Sequence, residues 1–300
     1  MDIRRRLALA LSSSGYSIDE GDDRLVPITE KLTLLHYTGR YSRLLSSLFG
    51  ANDKANIQSL ILEASFAFQF EASGRPLDYE VRRRSDSDTS IDFHWEVSPS
   101  RNLYMEMRLV QQRQAFTDLF EMQLSRSSYF GTTLGGVEDQ RETLRLQRLI
   151  FSKVLNKDGG LIKFSTGTPG DYNFVVVEVS DLHLGMTDLY DCLLATYGDP
   201  AVPEVARRQL FGLFQKARAK YPDFIQEIAA KFELFRETVH GVLFLWKRPH
   251  GNPINFSLEF FLIPNQNLMT SQEALEIAED LKGAMRPWSP KRITSNKVLR

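Results

Sequence analysis

Ser90-Ile91-Asp92-Phe93-His94-Trp95-Glu96-Val97, followed by Asn102-Leu103-Tyr104-Met105-Glu106-Met107-Arg108-Leu109-Val110, is the stretch that decides the fold. Both segments alternate apolar and polar residues, the signature of half-buried strands. Ile91, Phe93, Trp95 and Val97 share one face of the first, and Asp92, His94 and Glu96 share the other. In the second, Leu103, Met105, Met107 and Leu109 oppose Tyr104, Glu106 and Arg108. Pro99-Ser100-Arg101 between them predicts a hairpin.

A hairpin must keep its apolar faces together, so acceptable registers differ by two residues. One register sets Asp92 opposite Arg108 and His94 opposite Glu106; the other sets Asp92 opposite Glu106. In either, Asp92, Glu106 and Arg108 are neighbours. They then form either an ion pair across a solvated sheet, of small energetic value, or a site for a divalent cation. Two carboxylates from adjacent strands supply hard oxygen ligands of the kind Mg²⁺ takes. An arginine beside them would stabilise charge on a phosphoryl group.

Outward from the hairpin, residues 77–84 read as a further strand. Upstream, Ile57, Leu60, Ile61, Ala64 and Phe68 make one stripe of a helix over 54–72, while Leu62, Phe66 and Phe70 line another side. A helix apolar nearly all round is buried on several sides. Glu63 in its middle therefore needs a partner. Asn52 or Asp53 caps this helix and Gly74 ends it. A helix is expected over 30–49, a surface connection over 12–27, and a helical turn or loose arm at the N-terminus. Downstream, 112–125 and 138–155 read as helices and 172–179 as a buried, parallel strand. Helices at 187–196, 203–219 and 222–237, strands at 240–246 and 256–263, and a helix at 271–285 follow.

Composition is that of an ordinary globular chain of 300 residues, with 42% hydrophobic and 25% charged residues. Lysine plus arginine is 37 and aspartate plus glutamate 38, so 37 − 38 leaves a net charge of −1. A globally basic nucleic-acid coat is excluded, and contact with phosphate has to come from a local patch. The lone Cys192 excludes an intrachain disulfide and any cysteine-cluster zinc site. Arg4-Arg5-Arg6 precedes only five apolar residues, short of a signal sequence, and no run suits a membrane span. The expectation is a cytoplasmic protein that makes no membrane contact. No Walker sequence and no Gly-x-Ser-x-Gly elbow occurs, which disfavours ATP use and serine hydrolysis.

The order of a Glu63-bearing helix, a strand, Ile91-Asp92, Glu106-Met107-Arg108, helices and an apolar strand resembles the PD-(D/E)XK nuclease superfamily. The resemblance covers about residues 54–180. It implies an α/β fold with a restriction-endonuclease-like core (αβββαβ, a mixed sheet flanked by helices). A helical and β extension over about 181–285 and a basic tail over 286–300 would complete one domain spanning 1–300. The implied function is Mg²⁺- or Mn²⁺-dependent hydrolysis of DNA phosphodiester bonds. By carry-over, Asp92 and Glu106 hold the metal, Glu63 is the accessory helix acid and Arg108 stands at the lysine position. Ile91 replaces the motif proline, which does no chemistry; Arg108 replaces a lysine, and arginine keeps its charge at any working pH. The alternative is therefore a catalytically inactive scaffold that binds nucleic acid or a protein partner. Gln112, in the helix after the third strand, and His94, on the acidic face, are supporting candidates. Arg82, Arg83 and Arg84 are either a phosphate-tracking run or the charged guard of an edge strand. A homodimer or a partner subunit is compatible with this reading.

Overall fold

The computed structural model describes residues 2–83, 89–111, 122, 136–155, 160–161, 163–165, 168–180, 189–197, 232–252, 254–285, 291–294 and 297–298. It is an α/β structure in which strands lie side by side in chain order. The body of the sheet is β1 (Asp78–Val81), β2 (Ile91–Ser98), β3 (Arg101–Leu109), β4 (Asp171–Glu178), β5 (Gly241–Asn252) and β6 (Asn255–Pro264). β1–β2 and β2–β3 are antiparallel, β3–β4 and β4–β5 are parallel, and β5–β6 is an antiparallel hairpin. The basic tail contributes β7 (Lys291–Thr294), parallel to β6, and β8 (Lys297–Val298).

Helices cover both faces. α1 (Ile3–Ser13), α2 (Val26–Thr38), α3 (Ser42–Gly50), α4 (Lys54–Ala72) and α7 (Ser271–Ala284) close one core over Phe93, Met105, Phe174, Val176 and Leu243. On the other face α5 (Gly136–Phe151), α6 (Leu189–Leu194) and helical residues 232–238 close a second core over Val175, Val177, Val242 and Phe244. β4 is thus apolar on both sides, as expected of an internal parallel strand. Burial of the aromatic side chains alone is a large term, about 2–3 kcal/mol for each. Phe66 packs on Phe70 and Phe93 at 5.0 and 5.5 Å, and Phe70 meets Trp95 edge-on at 5.2 Å.

α4 starts where Asp53 accepts from the amide of Asn56 at 2.8 Å, and Gly74 leaves it at φ 72°. Its Gln69 amide bonds both backbone groups of Leu258, at 3.3 and 3.2 Å, tying the helix to β6. α7 opens on a capping box between Thr270 and Glu273.

Several expectations change. The helix over 30–49 is two helices, because Gly39 turns the chain in the left-handed region at φ 72°. The N-terminal arm is a docked helix with Leu7 and Leu11 fully buried, and the connection over 12–27 is shortened by α1, a 3₁₀ turn (Asp23–Leu25) and the start of α2. β1 is shorter than 77–84, and the hairpin turn is Pro99-Ser100, Arg101 already belonging to β3. The helix expected over 203–219 and, apart from Met122, that over 112–125 lie outside the described residues, as does 222–231 of the helix expected over 222–237, whose remainder is helical.

Candidate active site

The β2–β3 ladder pairs Phe93 with Met105 and His94 with Tyr104. One step on, the same register sets Asp92 opposite Glu106, the second of the two allowed registers. There the backbone amide of Met107 donates to Asp92 Oδ2 at 2.7 Å, which fixes that carboxylate at the end of the ladder. Glu106 points to the face covered by α5 and is fully buried.

A buried carboxylate needs compensating charge. Glu106 has it from Lys153, in the turn that ends α5, and Lys163, between α5 and β4. Their ammonium groups donate to the same oxygen, Oε1, at 2.8 and 2.6 Å. The other oxygen, Oε2, is buried with no hydrogen-bond partner. Burial pushes the proton affinity of Glu106 up, the Asp92 charge adds to this, and the lysines pull back without cancelling it. For Lys153 burial works against the charge, but Glu106 and Asp92 outweigh it and hold the ammonium above the ordinary lysine value.

Glu63 reaches this region from α4. Tyr79 of β1 donates to its Oε2 at 3.0 Å, and Ser59 donates to its Oε1 at 3.5 Å. Burial, then the Asp92 charge, raise its pKa from 4.5 to about 8, against the pull of Tyr79 and Lys153. Burial and the Asp92 charge thus both favour the protonated form of Glu63. Glu80, beside Tyr79, has φ 54°, a left-handed conformation that costs an ordinary residue about 1–2 kcal/mol. Backbone strain of this kind gathers at functional sites.

Arg108 lies on the Glu106 side of β3, half-buried, with its Nε shielded and without a hydrogen-bond partner. Its charge opposes that of Lys153. The structure thus gathers Asp92, Glu106, Glu63 and Arg108 of the expected set, and adds Lys153, Lys163 and Tyr79.

The remaining candidates are elsewhere or occupied. His94 Nδ1 pairs with Asp78 and Nε2 with Asn102, each at 3.1 Å, and its ring stacks on Tyr104 at 4.7 Å. Arg83 turns inward to Asp171 and Asn173 at 2.6 and 2.7 Å, with its guanidinium 3.8 Å from the Tyr104 ring. Arg82 is exposed, while Arg84 and Gln112 lie outside the described residues. Among the described residues no group of three or more His, Cys, Asp or Glu side chains is placed to hold a metal ion, and no helix is long and apolar enough to cross a membrane.

The chain has no match among protein-family models, curated proteins or solved structures.

Proposed function

We propose that this chain is a divalent-metal-dependent nuclease that hydrolyses DNA phosphodiester bonds on a restriction-endonuclease-like core. The carrying observation is the buried Glu106, paired through Oε1 with Lys153 and Lys163, carrying an unpartnered Oε2, and standing across from Asp92. The succession α4–β1–β2–β3–α5–β4 supports the core assignment, since it follows the expected αβββαβ order.

The residues fit Mg²⁺ or Mn²⁺. Asp92 and Glu106 offer hard oxygens, and the orphaned Oε2 is an acceptor without a donor. Mg²⁺ is commonly held through one or two carboxylates, with water and substrate phosphate completing its shell. Such an ion would polarise the phosphate and lower the pKa of an attacking water. The chain's own residues do the rest. Lys153, Lys163 and Arg108 present cationic donors to phosphate oxygens, and Arg108 keeps its charge at any working pH. Glu63, its proton affinity raised by burial, stands within electrostatic reach of Asp92.

The test is cleavage of plasmid, linear duplex and single-stranded DNA with Mg²⁺ or Mn²⁺, beside Glu106→Gln and Glu106→Ala. Cleavage by the wild type that is lost in both variants and with chelator is expected. Cleavage that survives both variants would place the activity outside this cluster. No cleavage by the wild type on any substrate would favour the inactive nucleic-acid- or partner-binding scaffold, which draws on the arginine at position 108.

A further inference from the structure

We infer that Lys153 and Lys163 together stand in for a divalent cation at Glu106, and that the cation and the lysines exchange on this carboxylate. The inference rests on reading Asp92 and Glu106 as the metal site. Both ammonium groups converge on one oxygen, at 2.8 and 2.6 Å, and bring to it the same charge of +2 that a divalent ion carries. Glu106 is fully buried, whereas the lysine side chains keep 22% and 21% of their surface exposed. The lysines are therefore the solvent-touching members of the cluster, and the carboxylate its buried one.

The supports differ in stiffness. Asp92 and Glu106 are fixed on β2 and β3, and Asp92 is pinned further by the Met107 amide. Lys153 and Lys163 sit outside helix and strand, on the excursion between α5 and β4, at the ends of flexible four-carbon stems. A cation arriving at the free Oε2 would meet two like charges on the neighbouring oxygen of the same carboxylate. Repulsion at this range is strong in a poorly solvated site, and the mobile partners are the ones that yield. Each released ammonium has three donors, directed to the solvent side where a phosphate would lie. Binding of the ion thus arms the lysines for the anion. By linkage, the two lysine contacts and the ion weaken one another reciprocally.

The test needs no cleavage. Free Mn²⁺ is followed by its paramagnetic resonance signal as wild type, Lys153→Met, Lys163→Met, the corresponding arginine variants and Glu106→Gln are added, with the fold of each checked by circular dichroism. Each methionine variant should bind Mn²⁺ about tenfold or more tightly than wild type. The arginine variants, which keep the charge, should bind much as wild type does, and Glu106→Gln should bind far more weakly. Wild-type binding that the methionine variants do not tighten overturns the exchange and leaves the metal site standing. No Mn²⁺ binding by any of the proteins overturns the metal site, and the exchange with it. In the unmodified protein, ¹⁵N-detected lysine ammonium signals should lose their hydrogen-bonded shifts as Mg²⁺ is added; in a protein that binds the ion, unchanged signals overturn the exchange independently of any substitution.

Discussion

Glu63 offers a direct test of the electrostatics of the cluster, through Glu63→Gln. The glutamine keeps the shape and a partner for the Tyr79 hydroxyl, which lies 3.0 Å from the carboxylate, but cannot ionise. Burial and the Asp92 charge move the Glu63 pKa from 4.5 to about 8. Between those values the folded protein holds a proton that the unfolded chain has released. Stability from this group is therefore complete below about pH 4.5 and is lost as pH rises through about 8. A tenfold change in proton affinity corresponds to about 1.4 kcal/mol, which gives an upper bound of about 5 kcal/mol for the whole displacement. Because the neighbouring charges of Asp92 and Glu106 contribute to the displacement along with burial, about 2–4 kcal/mol is the expected gap. Urea unfolding of both proteins at pH 5, 7 and 9 measures it. Glu63→Gln should gain on wild type steadily from pH 5 to pH 9. A difference that stays constant across this range would refute the assignment of Glu63 as a carboxyl kept neutral by burial.

Other substitutions probe the same framework. Glu106→Ala leaves the Lys153 and Lys163 ammonium groups facing an emptied site, and should cost about 3 kcal/mol in urea unfolding; Glu106→Ala with Lys153→Met and Lys163→Met should recover part of that loss. Arg83→Met removes a buried pair with Asp171 and the contact with Tyr104, so thermal unfolding should show a loss of about 3 kcal/mol. Under the proposed nuclease reading, its effect on DNA affinity at fixed salt should be smaller than that of Arg82→Met, which alters an exposed side chain. Gly170→Ala would place a methyl group 2.3 Å from the Ser100 carbonyl oxygen at a backbone φ of 84°; it should destabilise by at least about 1–2 kcal/mol, and an unchanged melting midpoint would contradict the close passage of that turn beneath the β2–β3 hairpin.

The hairpin was legible because Phe93, Trp95, Met105 and Met107 leave one arrangement of faces that buries them together. Its register was not, since alternation repeats every two residues. The bond from the Met107 amide to Asp92 marks the observed choice. The buried parallel strand was legible in Phe174-Val175-Val176-Val177, whose side chains enter both cores. The break between α2 and α3 was hidden because apolar residues continue across Gly39, leaving one glycine as the signal. Two members of the charge cluster were hidden for a different reason. Lys153 and Lys163 are 47 and 57 residues from Glu106 in the chain, and no local period links a lysine to a carboxylate at that range. The run Arg82-Arg83-Arg84 read as one surface feature, yet Asp171 and Asn173 at the start of β4 draw Arg83 inward. Neighbouring arginines thus acquire different environments through a strand far along the sequence.

The side-by-side order of the strands bears on how the chain can fold as it is synthesised. With each strand beside its sequence neighbours, the sheet can extend from β1 toward β6 without waiting for a distant partner to close a gap. The helical layer made first has no such independence. Lys31 donates to Phe256 across 225 positions, Gln69 to Leu258 across 189 and Arg75 to Asp280 across 205. Contacts of such separation carry a large loop-closure cost and form late. The amino-terminal helices consequently keep part of their apolar face uncovered after β2 and β3 have packed on it, and the last hairpin and α7 act as the closure that retires it.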